Sequence, residues 1–376
     1  MESIEQMIKR LCPKGVEYVK LGEVCELERG KVFSKKYIEE HPGQYPVFSS
    51  QTANNGELGK IDTFNYNGEF LTWTTDGAYA GTIFYREGKF SITNVCGLIK
   101  NNDTMFNIKF LFHWLRLVAK NYVYSGMGNP KLMSNQTAEI LIPVLTMEVQ
   151  NRIVEVLDKM TTLTAELEAE LEARKQQYEY YRNKLLTFNE IGGGIRQVTW
   201  MKISEICVLK AGKAIKASEL SDIRDNQHQY PCYGGNGIRG YIAKYSHEGR
   251  YAIIGRQGAL CGCVNWVEGK FYATEHAVVC TPKTLSDTRF LYFLFKNENL
   301  NRYKSQGAQP GLSVANLYNI MLPIPPLSEQ QRIVSILDRF EALTTDLQSG
   351  LPAEIEARRQ QYEYYRNKLL TFDQAV

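Results

Sequence analysis

Asp76, Glu87 and Lys89 are spaced like a metal-dependent nuclease site. An acid precedes Glu-x-Lys, so that two carboxylates would hold a divalent ion while the lysine steadies the nucleophile. A second Glu-x-Lys, Glu268 and Lys270, lies in a similar stretch, but there Gln257 stands where the acid should be. The constellation fails against its own duplicate, and a Glu-Gly-Lys hairpin turn is expected at both places. Other catalytic patterns are incomplete. Gly30-Lys31 and Gly212-Lys213 lack the rest of a phosphate-binding loop, and no Asn/Asp-Pro-Pro-Tyr/Phe motif or glycine-rich turn for a methyl donor is present. The eight cysteines form no Cys-x-x-Cys pair and the five histidines are scattered, which predicts buried thiols in a reducing cytoplasm and no zinc site or disulfide framework. The expected protein is not an enzyme and carries no cofactor of its own.

The elements that position these residues occur twice. Glu172 to Phe188 and Glu356 to Phe372 agree at sixteen of seventeen positions, differing only at Lys175 and Arg359. The chain is therefore an internal duplication. Each half opens with a predicted Lys-Leu/Ile-x-Glu-x-Cys strand, at Lys20 to Cys25 and Lys202 to Cys207. The matched marks continue through Tyr45-Pro46 and Tyr230-Pro231, Asn55-Gly56 and Asn236-Gly237, Gly77 to Gly81 and Gly258 to Gly262. Short alternating runs broken by Asn-Gly, Glu-Gly and Asp-Gly turns predict a mostly β module, followed by a helix near Phe110 to Lys120 and Phe290 to Phe295.

A change of character follows each module. From Met147 to Phe188 there is no Gly or Pro, and apolar residues recur at steps of three and four, from Ile153 and Leu157 through Tyr178, Tyr181 and Leu185. That pattern predicts a coiled-coil-like amphipathic helix roughly 60 Å long. The second copy holds four extra residues around Ser349-Gly350-Leu351-Pro352, which predict a break near 349–352 with Pro352 in the first turn of a restarted helix. The expected fold class is α+β: two similar mixed, mostly β domains separated by two long antiparallel helices, related by a pseudo-two-fold axis, with N- and C-termini near each other. The boundaries expected are 1–145 and 191–325 for the modules, 146–190 and 326–376 for the helices. The net charge is only +3, but 202–304 holds 15 basic against 9 acidic residues, while 20–139 holds 13 against 12. The second module should depend more on charge. The start, Met-Glu-Ser-Ile-Glu-Gln, carries acid where a signal peptide carries base, and no apolar run approaches membrane-spanning length, so a cytoplasmic protein without membrane contact is expected.

Tyr230-Pro-Cys-Tyr-Gly-Gly-Asn-Gly, Gly255-Arg-Gln-Gly-Ala, Gly307-Ala-Gln-Pro-Gly-Leu-Ser and Leu322-Pro-Ile-Pro-Pro-Leu-Ser-Glu-Gln-Gln-Arg-Ile-Val carry a resemblance. In order and in both halves, the chain resembles the specificity subunits of Type I restriction-modification enzymes. The first half departs from these marks at Ser49-Ser50-Gln51 and Thr74-Thr75-Asp76. The resemblance implies two target recognition domains, each reading half of a bipartite double-stranded DNA sequence, and spacer helices that dock two methyltransferase subunits. Restriction subunits would join for cleavage, and S-adenosylmethionine and ATP would belong to those other chains. Like-oriented readers on a pseudo-dyad should meet the duplex roughly 34 Å apart.

Residue chemistry fits that implication. Bases are read by Arg and Lys on guanine and by Asn and Gln on adenine, whereas phosphates are held by basic, hydroxyl and backbone groups. Loops that differ between halves while their flanks match should hold the readers. Arg256 and Gln257 against Thr75 and Asp76 fit, as do Arg239 against Leu58, and Gln306 and Gln309 against Gly126 and Asn129. Asn236, Gln51, Asn55, Lys60 and Thr74 complete the expected DNA-contacting set, with Lys131, Lys244, Arg302 and Lys304 better placed for phosphates. Tyr178 and Tyr181 fall on the apolar seam and are expected to pack between helices, while Tyr180 points elsewhere. The alternative is a scaffold whose β domains bind peptides or glycans. Salt-dependent, sequence-selective DNA binding separates the two.

Overall fold

The computed structural model describes residues 2–126, 128–188, 198–258, 260–305 and 310–375. Two compact units emerge, one of residues 1–168 with 355–376 and one of residues 169–354. The long helix Met147–Leu186 contributes residues to both.

In the first unit, β1 (Glu17–Lys20) pairs with β8 (Leu141–Val144), and six strands form the main sheet. These are β2 (Cys25–Arg29), β3 (Pro42–Phe48), β4 (Glu57–Ile61), β5 (Tyr66–Thr74), β6 (Ile83–Ile92) and β7 (Cys96–Asn101), ordered β2-β7-β5-β6-β3-β4. The β3–β6 pair is parallel and the others antiparallel, so the sheet is mixed. In the second unit, β9 (Thr199–Lys202) pairs with β16 (Met321–Ile324). Its main sheet holds β10 (Cys207–Ala211), β11 (Tyr230–Gly234), β12 (Gly237–Ile242), β13 (His247–Gly255), β14 (Val264–Ala273) and β15 (Ala277–Pro282). Their order, β10-β15-β13-β14-β11-β12, repeats the first strand by strand.

Strand alternation divides the side chains between two faces. Leu71, Trp73, Ile83 and Ile99 pack with the helix Ile108–Val118, while Phe90, Ile92 and Leu98 form a cluster on the other side with Phe48. The second sheet repeats this, with Ala252, Ile254 and Cys280 toward the helix Thr288–Glu298 and Ile253, Phe271 and Val279 away from it.

Two sequence expectations are corrected. The opening Lys-Leu/Ile-x-Glu-x-Cys is not one strand: Leu21–Val24 and Ile203–Ile206 are single helical turns between strands. Glu23 and Glu205 reach back to accept the main-chain N–H of Lys20 and Lys202, closing the turn from its own start. Nor is Glu-Gly-Lys a hairpin turn. Glu87 to Lys89 lie inside β6 opposite Asn67 to Glu69, and Glu268 to Lys270 lie inside β14 opposite Glu248 and its neighbours. Gly88 (φ 87°) and Gly269 (φ 85°) put a left-handed kink into continuous strands. Asp76 stands beyond the hairpin end of β5, so Glu87, four positions inside the ladder from Ile83, is separated from it by roughly 13 Å of strand. Lys89 lies over the rings of Phe64 and Tyr45. The three residues of the nuclease-like spacing do not meet.

The helices are held to the modules by a repeated device. Gln150, fully buried in the first turns of the long helix, donates from Nε2 to the carbonyls of Met105 and Leu145 at 2.8 Å each and accepts the N–H of Asn107 at 2.8 Å. Gln330, equally buried, donates to Leu285 at 2.9 Å and Pro325 at 2.8 Å and accepts from Asp287 at 2.8 Å. Asn107 and Asp287 are themselves the N-caps of the helices that cover the sheets. A charged clasp adds to each joint: Lys109 reaches Asp158 at 2.8 Å, and Arg289 reaches Asp338 at 2.7 Å.

Beyond the clasps the helical parts pair within each unit. In the first, Asp158 connects to Tyr362 through His113, while Glu168 meets Arg359 at 2.5 Å, so residues 355–369 of the helix Leu351–Leu369 run antiparallel to residues 147–168. In the second, Tyr178 and Tyr181 pack on Phe340 of the helix Leu327–Thr345. Tyr178 and Tyr362 are buried and Tyr180 and Tyr364 exposed, as the seam requires. Between Thr345 and Leu351 the chain turns; a Cβ at Gly350 would stand 2.7 Å from the carbonyls of Ala342 and Asp346, and Pro352 occupies the first turn of the next helix. The chain ends meet in the first unit, where Val16 donates to Asp373 at 2.8 Å and Ala375 to Val16 at 3.0 Å. Among the described residues no helix is long and apolar enough to cross a membrane.

His113 is fully buried, with Nε2 2.8 Å from Asp158 and Nδ1 3.1 Å from the Tyr362 hydroxyl. Burial pulls its pKa below the ordinary 6.5 despite the carboxylate. The neutral ring donates from Nε2 and accepts from Tyr362.

Two outcomes follow from these joints. Gln150→Glu keeps the acceptor but removes both Nε2 donors, leaving buried carbonyls unpaired; a loss of about 3 kcal/mol, or roughly 6–12 °C in Tm, is expected in thermal melts. Because folded His113 titrates below its unfolded value, the unfolded chain takes the proton first as pH falls. Stability present above about pH 6.5 should therefore decline as pH drops through the folded pKa, and melts of His113→Gln should show a shallower decline.

Candidate nucleic-acid interface

In the first unit three turns and a longer loop converge at one end of the main sheet. The β5–β6 turn begins with buried Thr74 and Thr75 and closes at Gly81, whose φ of 80° and lack of room for a Cβ against Val123 select glycine. The loop after Tyr122 crosses it: Gly77 donates to Pro130 at 3.0 Å and Leu132 to Thr75 at 2.9 Å, while the Trp73 indole N–H holds the Leu132 carbonyl at 2.9 Å. Thr75 Oγ1 bonds to Asp76 Oδ2 at 2.6 Å and to the Val95 carbonyl at 2.7 Å, and Arg29 reaches Thr75 Oγ1 at 3.3 Å and the Asn94 carbonyl at 2.6 Å. Ser50 also bonds to the Val95 carbonyl. Asp76 emerges from this closed network with Lys131 Nζ 3.9 Å from its free oxygen.

Beneath the β3–β4 turn lies Arg86, 3% exposed. Its guanidinium stands 3.6 Å from the ring centre of Phe48 and 4.4 Å from that of Phe84, and it donates to Thr72 Oγ1 at 3.2 Å and to the Asn55 carbonyl at 2.8 Å. Burial pushes its pKa down to about 10, which leaves it charged at neutral pH. Asn54 and Asn55 both take left-handed φ near 50°, forming the tight turn that presents this carbonyl.

The second unit builds the same end from the same backbone rungs with different side chains. Gly258 donates to Pro310 at 3.0 Å, Leu312 to Arg256 at 2.8 Å, and Arg256 to His276 at 3.0 Å. Gln257 pairs with Gly311 where Asp76 pairs with Lys131. Here the end is open. Gly235, Asn236, Gln257, Gly258 and His276 surround a pocket of about 370 Å³. Arg256 Nε, Glu275 Oε2 and His276 Nδ1 are buried without a hydrogen-bond partner among the described residues.

The sequence-predicted residues sort by this geometry. Asp76, Lys131, Asn55 and Asn129 stand at the first loop end, and Asn236, Arg256 and Gln257 at the second. Thr74 and Thr75 are corrected: both are buried, with hydroxyls engaged inside the turn, so neither presents a group for contact. Gln51 bonds to the Glu57 carbonyl within its own turn. Lys60 and Arg239 are exposed on the outer strands β4 and β12. Lys244 is paired with Glu219 at 2.5 Å, Arg302 with Glu298 and with the Tyr303 hydroxyl at 2.6 Å, and Lys304 with Asn301 at 3.0 Å. Gln306 and Gln309 lie outside the described residues. Sequence reasoning missed Arg29, Ser50, Glu275 and His276. Its own rule would have found the last two, since Thr93-Asn94-Val95 and Thr274-Glu275-His276 differ between similar flanks.

A larger groove of about 840 Å³, between β14 and the helices of the second unit, is of another kind. Arg289 there bonds to Asp338 and to Glu341 at 2.5 Å and stacks over Trp266 and Tyr292, so its charges hold the helix joint together.

Comparison with known proteins places both halves in one family model. Residues 13–174 and 196–357 each match the Type I restriction modification DNA specificity domain. Over 357 residues the chain is 32% identical to a type I specificity subunit of Mycoplasma pneumoniae, covering 93% of this chain and 96% of that one. The EcoprrI type I specificity subunit of Escherichia coli is 40% identical over 257 residues, 64% of this chain and 63% of its own. The crystal structure of the type I restriction-modification S subunit from M. genitalium shares the fold, with a TM-score of 0.67, 18% identity and coverage of 95% and 96%.

Replacing Arg86 by Met keeps an apolar stem between Phe48 and Phe84 but frees the Asn55 carbonyl. Hydrogen exchange should accelerate about tenfold across residues 49–57, with roughly 2 kcal/mol lost in thermal melts.

Proposed function

The chain belongs to the type I restriction-modification DNA specificity family, and from that premise we propose that it is the sequence-reading subunit of such a system, each half reading one part of a bipartite duplex target. The modules 1–145 and 191–325 are the readers. The helical segments 146–190 and 326–376 set the spacing and dock two methyltransferase subunits, which restriction subunits join for cleavage. Methyl transfer and strand cleavage belong to those partners, in the cytoplasm, and the chain itself catalyses neither.

One observation carries this reading. Two sheets of identical strand order end in the same hydrogen-bonded rungs, yet one places Asp76 and Lys131 where the other places Gln257 and Gly311. Preserved backbone with exchanged donors and acceptors is what two different base sequences require of one scaffold. Affinity would come from phosphate contacts by exposed cations such as Lys131 and Arg239, and selectivity from the loop ends.

Exchange of residues 18–145 for those of a relative, followed by mapping of methylated sites in cells carrying the hybrid, tests the division of labour. One half of the methylated motif should change and the other persist; change in both halves, or in neither, overturns it. Binding should also weaken as salt rises, with a steeper slope for sites that engage the more basic second module.

A further inference from the structure

The loop end of the first module carries a row of three side chains on paired backbone. Asp76 lies opposite Lys131, and Lys131 opposite Tyr124, in antiparallel bridges. Directly opposed residues of such a ladder project from the same face, so carboxylate, ammonium and phenol stand side by side. The second module repeats the rungs: the Ser305 N–H donates to the Gly311 carbonyl at 2.9 Å, as the Tyr124 N–H does to Lys131 at 2.8 Å. Its row, however, is Gln257, Gly311 and Ser305, so every side chain has been exchanged on the same rungs. Asp76 is fixed within its row. The hydroxyl of buried Thr75 holds its Oδ2 at 2.6 Å. Its Oδ1 is not sealed, takes no hydrogen bond among the described residues, and has Lys131 Nζ at 3.9 Å. Lys131 and Tyr124 are both exposed. An exposed ion pair this loose contributes little to stability, so the anchoring has another use. A carboxylate pinned at one oxygen presents the other as a single aimed acceptor.

We propose that Asp76 is a specificity-determining residue of the first module and reads the amino group of a cytosine in the major groove. The inference rests on the DNA-reading function proposed above. Only cytosine, through N4, and adenine, through N6, can donate to a carboxylate oxygen there. Adenine sets the N7 acceptor beside N6 and so asks for a donor and an acceptor together, as an amide supplies; a carboxylate leaves N7 unpaired against its own charge. Cytosine offers one donor and no other polar group, which the single free oxygen satisfies. Thymine puts O4 where cytosine has N4, and guanine offers only O6 and N7, so both turn acceptors toward Oδ1. Lys131 makes the acid tolerable at the DNA surface. With its ammonium on a phosphate, as proposed above, it stays near enough to Oδ1 to offset repulsion between the carboxylate and the DNA backbone.

The test uses the full chain assembled with the methyltransferase subunits of its own system, first selecting sites from a random duplex library. The first half-site is the one that changes on exchange of residues 18–145. There, replacing one cytosine by thymine with adenine opposite, or by a pyrimidinone lacking the amino group, should weaken wild-type binding about tenfold. In Asp76→Asn the amide oxygen keeps the Thr75 bond and the NH2 takes the place of Oδ1, a donor for an acceptor. This variant should bind the thymine duplex at least as well as the cytosine one, melt with the wild type and keep the wild-type preference at the second half-site. Lys131→Met should weaken both duplexes by a similar factor and lower the slope of log affinity against log salt by about one. Full cytosine preference in Asp76→Asn, a loss in Lys131→Met confined to the cytosine duplex, or a first half-site in which no cytosine is sensitive to loss of its amino group overturns the inference while leaving two-part recognition standing. Absence of any sequence preference in either half overturns both.

Discussion

Each half depends on one buried glutamine. Gln150 and Gln330 stand where a helix leaves its β module, and each satisfies three main-chain groups that would otherwise be sealed from water unpaired. A buried amide has one geometry in which all its bonds are made, and departure from it costs several hydrogen bonds at once. The joint is thereby stiff without a large interface. Whatever reads at the loop end of a module is referred to its helix through this contact and the adjacent basic–aspartate clasp.

Around that constant joint the copies have diverged in chemistry. The first unit completes its clasp with a neutral histidine between Asp158 and Tyr362, whereas the second uses Arg289, shared by Asp338 and Glu341 beneath aromatic rings. The loop ends differ more. One is closed by threonine, serine and arginine bonds with a single carboxylate emerging; the other leaves a pocket lined by Asn236, Gln257 and His276. Backbone rungs survive such exchange because they need only N–H and carbonyl groups, which every residue but proline supplies. A scaffold of this kind can change what it reads without changing how it folds.

Much was legible because duplication supplies an internal control. The β modules, the covering helices, the long seam and the packing of Tyr178 and Tyr181 all follow from period and matched punctuation. Two local readings failed for different reasons: Leu21–Val24 became a helical turn because Glu23 closes it on its own backbone, and Gly88 became a kink within β6 because the ladder opposite Gly68 continues through it. The second outcome depends on a strand partner twenty residues away.

Residue spacing alone determined the duplication, the alternation of β module with helix and the break beside Gly350, because periodicity and backbone restrictions act over a few neighbouring residues. Only the tertiary structure decided that Thr74 and Thr75 are wall rather than surface, that Arg86 supports a turn from below, and that His276 lines a pocket with Gln257. Those facts arise where loops from remote parts of the chain converge, and burial and hydrogen-bond pairing at such a meeting have no signature within any one of them.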